Sequence, residues 1–131
     1  MKKLFLTLFV LSALLISACS TGLPPASPEV HAFAECLTEN EVIMYGTDWC
    51  PFCQQQKELF GDAFNSVMYV NCETNPSACN AAGVRSYPTW LVDGQMYSGV
   101  QQLYQLAQNS GACSLAPQAV VGDEEIGNDN L

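Results

Sequence analysis

Short apolar runs separated by turn-forming residues organise the middle of this chain, between Ala32 and Cys113. Residues 42–45 (Val-Ile-Met-Tyr) and 67–70 (Val-Met-Tyr-Val) are continuous and apolar, the pattern of strands buried on both faces. Residues 89–92 and 95–98 flank Asp93-Gly94, a two-residue turn signal that predicts a hairpin. Three stretches read as helices: residues 51–60, stopping at Gly61; residues 76–82, stopping at Gly83; and residues 100–109, where Leu103, Leu106 and Ala107 share a face before Gly111. The order strand, helix, strand, helix, two strands, helix predicts an α/β fold. Its sheet would be mixed, with about four strands, a parallel core and an antiparallel edge hairpin, flanked by helices.

The chemistry sits where the first strand gives way to the first of these helices. Trp49-Cys50-Pro51-Phe52-Cys53 places two thiols three positions apart across a helix start, close enough to close a disulfide. Free backbone N–H groups and the positive end of the helix dipole stabilise a thiolate on the first sulfur. Pro51 suits the first helical position, where its missing N–H has no partner to lose. Cys50, at the exposed tip, is therefore the candidate nucleophile, and Cys53, one turn in and shielded, the resolving thiol.

The ends of the chain change the picture of where such chemistry would operate. The 131 residues leave room for one domain. Met1-Lys2-Lys3 followed by the apolar residues 4–18 reads as a secretory signal, too short to span a bilayer comfortably. Its end, Ile16-Ser17-Ala18-Cys19, resembles the lipobox of bacterial lipoproteins, which implies that Cys19 is lipidated and becomes an anchoring N-terminus. Setting Cys19 aside leaves an even number of cysteines, as expected of an exported chain. Ser20 resembles the outer-membrane sorting pattern of enteric bacteria. The expected organisation is a signal at 1–18, a lipidated cysteine and flexible tether at 19–31, a domain at 32–114 and an acidic, disordered tail at 115–131. Beyond the signal the only basic side chains are Lys57 and Arg85, against thirteen Asp and Glu. That balance argues against nucleic acid as a partner and against direct adhesion to anionic lipid, and it favours solubility.

With Trp49-Cys50-Pro51-Phe52-Cys53 at the end of a strand and Tyr87-Pro88-Thr89 before a hairpin, the chain resembles the thioredoxin superfamily. The resemblance implies a cis Pro88 lying against the dithiol, with Trp49, Tyr87 and Pro88 shaping a groove in which an extended substrate pairs with backbone. Residues 33–113 are more closely similar to the thioredoxin-like domain associated with vitamin K epoxide reductase homologues. Cys36-Leu37-Thr38, Met44-Tyr45-Gly46, residues 50–57, Tyr69-Val70-Asn71-Cys72, Tyr87-Pro88-Thr89-Trp90, residues 94–99 and Ser110-Gly111-Ala112-Cys113 carry that similarity. It implies exchange of disulfides with exported cysteine-containing proteins and with a membrane redox enzyme of the vitamin K epoxide reductase type. No dissociable cofactor is implied.

Two departures bear on the chemistry. Phe52 stands where many of those relatives have a histidine that would stabilise the Cys50 thiolate, so the couple is expected at roughly −200 mV rather than at the oxidising extreme. Met44 occupies the place of the buried acid that thioredoxins carry, and Asp48 and Glu58 read as solvated faces. A glutaredoxin-like reductase is the neighbouring alternative, but Gln101-Gln102 stands where that family's acidic pair would follow the hairpin.

Cys36, Cys72, Cys79 and Cys113 allow three pairings, and spacing does not choose among them. The family resemblance implies Cys72 with Cys79 and Cys36 with Cys113, both structural. A redox-silent domain, or a four-cysteine zinc site of Cys50, Cys53, Cys72 and Cys79, is the alternative of another class. An oxidising compartment, a single CxxC and a proline against it argue for no metal. His31 reads as solvated in the tether, and Met44, Met68 and Met96 as core. The expectation is an extracytoplasmic thiol-disulfide oxidoreductase, lipid-anchored on the periplasmic side of a bacterial membrane, with its direction of electron flow open.

Overall fold

The computed structural model of the chain describes residues 22–115, so the expected signal, Cys19 and all but the first residue of the expected tail lie outside the described residues. In chain order the elements are α1 (Pro28–Glu39), β1 (Ile43–Gly46), α2 (Pro51–Phe60), a 3-10 segment (Gly61–Ser66), β2 (Met68–Asn71), α3 (Pro76–Ala82), β3 (Thr89–Val92), β4 (Gln95–Ser98) and α4 (Leu103–Ser110). The four strands form one mixed sheet in the order β2-β1-β3-β4. Its parallel part is a single pair, β1 with β2, in the register Ile43↔Met68 to Gly46↔Asn71. β3 runs antiparallel to β1, with Met44 opposite Trp90, and β4 antiparallel to β3. The Asp93-Gly94 turn has positive φ at both residues, 48° and 76°, the conformation whose twist matches the two flanking strands.

The two-residue period of β1 and β3 distributes their side chains between two cores. Met44, Trp90 and Val92 join Phe33, Leu37, Phe60, Phe64 and Leu106 in the larger one. Tyr45, with Ile43 and Leu91 partly buried beside it, joins Cys72 and Cys79 on the other face. This double coverage is why residues 42–45 read as an unbroken apolar run. Gln56 is the largest of the buried polar side chains, beside Thr47, Thr89 and Ser110, and it is satisfied. Its carbonyl accepts from the Trp90 indole N–H at 3.1 Å and the Gln101 backbone N–H at 2.7 Å, while its amide donates to the Gln101 carbonyl at 2.9 Å.

The helix α1 corrects the expected tether. Ser27 caps it by accepting from the Val30 N–H at 3.4 Å, Pro28 occupies the first helical position, and Val30, Phe33, Ala34 and Leu37 bury one face. The preceding residues are packed as well. Asp62 accepts from the Ala26 N–H at 2.7 Å and donates its own N–H to the Pro24 carbonyl at 2.9 Å. Gly61 must be glycine here: its φ is +58°, and a Cβ would collide with the Pro24 carbonyl oxygen. His31, expected to be solvated, pairs through Nε2 with Asp62 at 3.1 Å while remaining half exposed. The ordered domain thus begins well before residue 32, because a proline-rich segment that looks like linker also holds a cap, a first-turn proline and an i, i+3, i+4, i+7 apolar stripe.

Two disulfides close the structure: Cys36–Cys113 joins α1 to the end of the domain across 77 positions, and Cys72–Cys79 joins the end of β2 to α3 across 7. A longer closed loop restrains the unfolded chain more. Replacing Cys36 and Cys113 by serine should therefore lower the unfolding free energy by about 4 kcal/mol, against about 2.5 kcal/mol for Cys72 and Cys79. Urea unfolding of the two double variants measures both losses, and the reverse order would contradict this account.

Candidate active site

β1 ends at Gly46, and residues 47–49 carry the chain to α2. Cys50 is the helix cap, with φ −77° and ψ 118°, and Pro51 is the first helical residue. The Cys50 sulfur accepts from the Cys53 backbone N–H at 3.4 Å, and the Cys50 carbonyl accepts from the N–H groups of Cys53 and Gln54, each at 3.1 Å. Both cysteines are free thiols in this structure. A thiolate on Cys50 would sit at the positive end of the helix dipole, accepting from the Cys53 N–H.

The expected exposed tip is not what the structure shows. Cys50 is only 5 % exposed, and its thiol donates to the Tyr87 carbonyl at 3.7 Å. The chain before β3 lies against the sulfur, while the flanking Trp49 and Phe52 are 66 % and 61 % exposed. Cys53 is fully buried. Burial first, and the neighbouring Cys50 second, push its thiol up from 9.0 to about 12, with the Thr47 backbone and the Lys57 charge pulling the other way. Among the described residues the Thr47 hydroxyl is the buried side-chain oxygen left without a hydrogen-bond partner.

The Tyr87–Pro88 peptide is cis, and Pro88 is fully buried. Its loop is held by the Thr89 hydroxyl donating to the Ser86 carbonyl at 2.7 Å and by the Gly99 N–H donating to the Pro88 carbonyl at 2.8 Å. Tyr87 meets Trp49 edge-on, with ring centroids 6.5 Å apart. Beside them Phe52, Gln55, Ser86, Tyr87, Ser98, Gly99 and Val100 line an open cleft of about 500 Å³. Cys50, Cys53, Trp49, Tyr87 and Pro88 therefore come together in one place. Cys72 and Cys79 are bonded to each other, so the four thiols of the zinc alternative are not assembled. Cys36 and Cys113 form the other disulfide, and Cys19 is outside the described residues.

Asp48 is exposed as expected, its side chain 63 % open to solvent, and it also ties neighbouring side chains together. Its carboxylate accepts from Lys57 at 3.1 Å, Asn71 at 2.8 Å and the Tyr69 hydroxyl at 3.3 Å. The Lys57 ammonium beside it holds the carboxyl below its usual range. Glu58 stays exposed, and Met44 is buried in the sheet. Lys57, Tyr69 and Asn71 escaped the sequence reading. One signal was available: Lys57 is four positions after Cys53, hence on the same helix face.

The sheet order, the dithiol at the start of α2 and the cis-proline facing it define a thioredoxin-like fold. No family model matches the chain. Thiol-disulfide oxidoreductase LTO1 of Arabidopsis thaliana is 34 % identical over 95 residues, which is 66 % of this chain and 25 % of that protein. The chain thus spans about a quarter of the length of this curated relative. Among solved structures, a mutant thioredoxin from Halobacterium salinarum NRC-1 is 21 % identical, with a TM-score of 0.44 over 72 % of this chain and 100 % of that one. Oxidised mitochondrial thioredoxin 3 of Saccharomyces cerevisiae is also 21 % identical, with a TM-score of 0.36 over 62 % of this chain and 85 % of that one.

The raised Cys53 thiol links redox state to alkaline stability. Folding holds this proton to about pH 12, whereas an unfolded chain releases it near 9.0, so its stabilising contribution is complete below pH 9 and is lost between there and about 12. The Cys50–Cys53 disulfide has no such proton. Thermal unfolding of both redox forms across that range should show the dithiol form losing stability more steeply; parallel curves would contradict the burial account.

Proposed function

We propose that this chain is a thiol-disulfide oxidoreductase acting through Cys50 and Cys53. The observation that carries the reading is the Cys50 sulfur capping α2 while facing the carbonyl of Tyr87, the residue before cis-Pro88. In the reducing direction the Cys50 thiolate attacks a substrate disulfide. One substrate sulfur leaves as thiolate, and the other is held in a mixed disulfide. Cys53 then attacks the Cys50 sulfur, forming Cys50–Cys53 and releasing the second substrate thiol, so that two cysteine thiols are oxidised as one substrate disulfide is reduced. The reverse sequence inserts a disulfide into a substrate. Tyr87 lines the cleft in which an extended segment would lie, with Trp49 against its ring and Pro88 buried behind it, and backbone pairing there would tolerate varied side chains.

The setting we propose is extracytoplasmic, with the domain anchored to a bacterial membrane through a lipidated Cys19. Residues 1–19 support this reading by their charge and hydropathy pattern. Two structural disulfides within 22–115 agree with an oxidising compartment. The partners would be exported cysteine-containing proteins and a membrane redox enzyme of the vitamin K epoxide reductase type. The similarity to LTO1 supports exchange chemistry of this kind.

The test is a redox titration of Cys50–Cys53 followed by Trp49 fluorescence. A reversible two-electron transition near −200 mV is expected, lost in Cys50→Ser. Cys53→Ser should instead accumulate mixed disulfides with cysteine-containing proteins. A chain without any reversible transition would be redox-silent, and the proposal would fall.

A further inference from the structure

We infer that Lys57 is a positioning residue for the resolving step, holding a positive charge behind the Cys53 sulfur across an opening that Gly46 leaves in β1. The inference rests on the exchange chemistry proposed above. Lys57 follows Cys53 by one helical turn, and its side chain is only 15 % exposed. Its ammonium lies 4.3 Å from the centre of the Tyr69 ring and 5.5 Å from that of Phe64, and Asp48 fixes it at 3.1 Å. Two aromatic faces and one carboxylate thus hold a single cation in place.

Gly46 connects this cluster to the dithiol. A Cβ on Gly46 would lie 2.8 Å from the Cys53 sulfur and 3.3 Å from Cε2 of Tyr69. The sulfur and the edge of the phenol therefore face each other over one position with no side chain between them. The glycine is required by space rather than by an unusual φ. Any larger residue would push the helix start off the strand or separate the sulfur from the ring that carries Lys57.

A fixed cation matters because the resolving step needs Cys53 as thiolate, and burial resists that form. In the step, a bond forms between the sulfurs of Cys53 and Cys50 and the bond from Cys50 to the substrate sulfur breaks. The proton leaving Cys53 ends on the released substrate thiol. Among the described residues the ionisable side chains near Cys53 are Cys50 at the cap of α2, Lys57 on α2 and Tyr69 on β2, and Asp48 in the loop after β1 bonds to both Lys57 and Tyr69. Lys57 is the cation of this set. Asp48 orients it and also tempers its charge, so loss of either side chain should act with opposite sign.

The experiment loads Cys50 of the full chain with a nitrobenzoate disulfide and follows release of the coloured thiolate as Cys53 resolves it, from pH 5 to 9 (a range of roughly neutral pH where thiolate fraction governs rate). Lys57→Met should displace the rising pH–rate profile to higher pH by about half a unit. Resolution at neutral pH would then slow about threefold, since a tenfold smaller thiolate fraction is partly offset by higher nucleophilicity. Lys57→Arg should restore the profile, and Asp48→Asn should shift it to lower pH. Asp48→Asn acts at the exposed end of the cluster, so a folding defect in Lys57→Met would still leave one arm to read. Profiles unmoved by Lys57→Met and Asp48→Asn, with a reversible Cys50–Cys53 couple in the native chain, would overturn this inference alone. Absence of that couple would overturn the exchange reading itself.

Discussion

The seating of α2 on the sheet is the constraint on which the site depends. Phe60 stacks on Phe33 of α1 with ring centroids 6.2 Å apart and lies 5.8 Å from the Trp90 ring of β3. Gln56 ties the same helix to β3 through the Trp90 indole and to the chain after β4 through Gln101. Losing Gln56 would strand buried donors, each costing about 1–3 kcal/mol, so its position is chemically fixed. A helix held at both its apolar and polar contacts cannot drift relative to β1 or the cis-proline loop. The dithiol inherits that rigidity, because Cys50 and Cys53 are the cap and first turn of this helix.

Within that frame the two sulfurs experience opposed environments. The Cys50 sulfur accepts from the Cys53 N–H at the positive end of α2, a setting that favours an anion. Cys53 is buried against β1, which disfavours one. A dithiol catalyst needs this asymmetry: the first sulfur must be available to attack, and the second must stay silent until a mixed disulfide exists. Phe52 adds no charge to the balance. It is 61 % exposed and lines the cleft.

The legible parts of this fold were the local ones. Continuous apolar runs gave β1 and β2, Asp93-Gly94 gave the hairpin, and Gly61, Gly83 and Gly111 marked the helix ends, because each signal lies within a few residues of the feature it specifies. The helix α1 was hidden by Pro24, Pro25 and Pro28, which together look like linker although Pro28 opens a helix. Exposure of Cys50 was misread because its cover comes from Tyr87, 37 positions away. The Asp48, Lys57, Tyr69 and Asn71 cluster was hidden for the same reason: it draws on a loop, a helix and a strand, and only the spacing of Lys57 from Cys53 hinted at it.

The N-terminal strap gives the site a direction. Pro24 and Ala26 bind Asp62, just past the C-terminal end of α2, whereas Cys50 caps its N-terminal end. Ten residues at about 1.5 Å each put roughly 15 Å of helix between the point where the described chain joins the domain and the reactive sulfur. In the tethered reading, an anchor preceding residue 22 would therefore pull on the face opposite the dithiol. Asp62 and Gly61 thus do more than end a helix, since they also seat the described N-terminal segment at the end of α2 opposite Cys50.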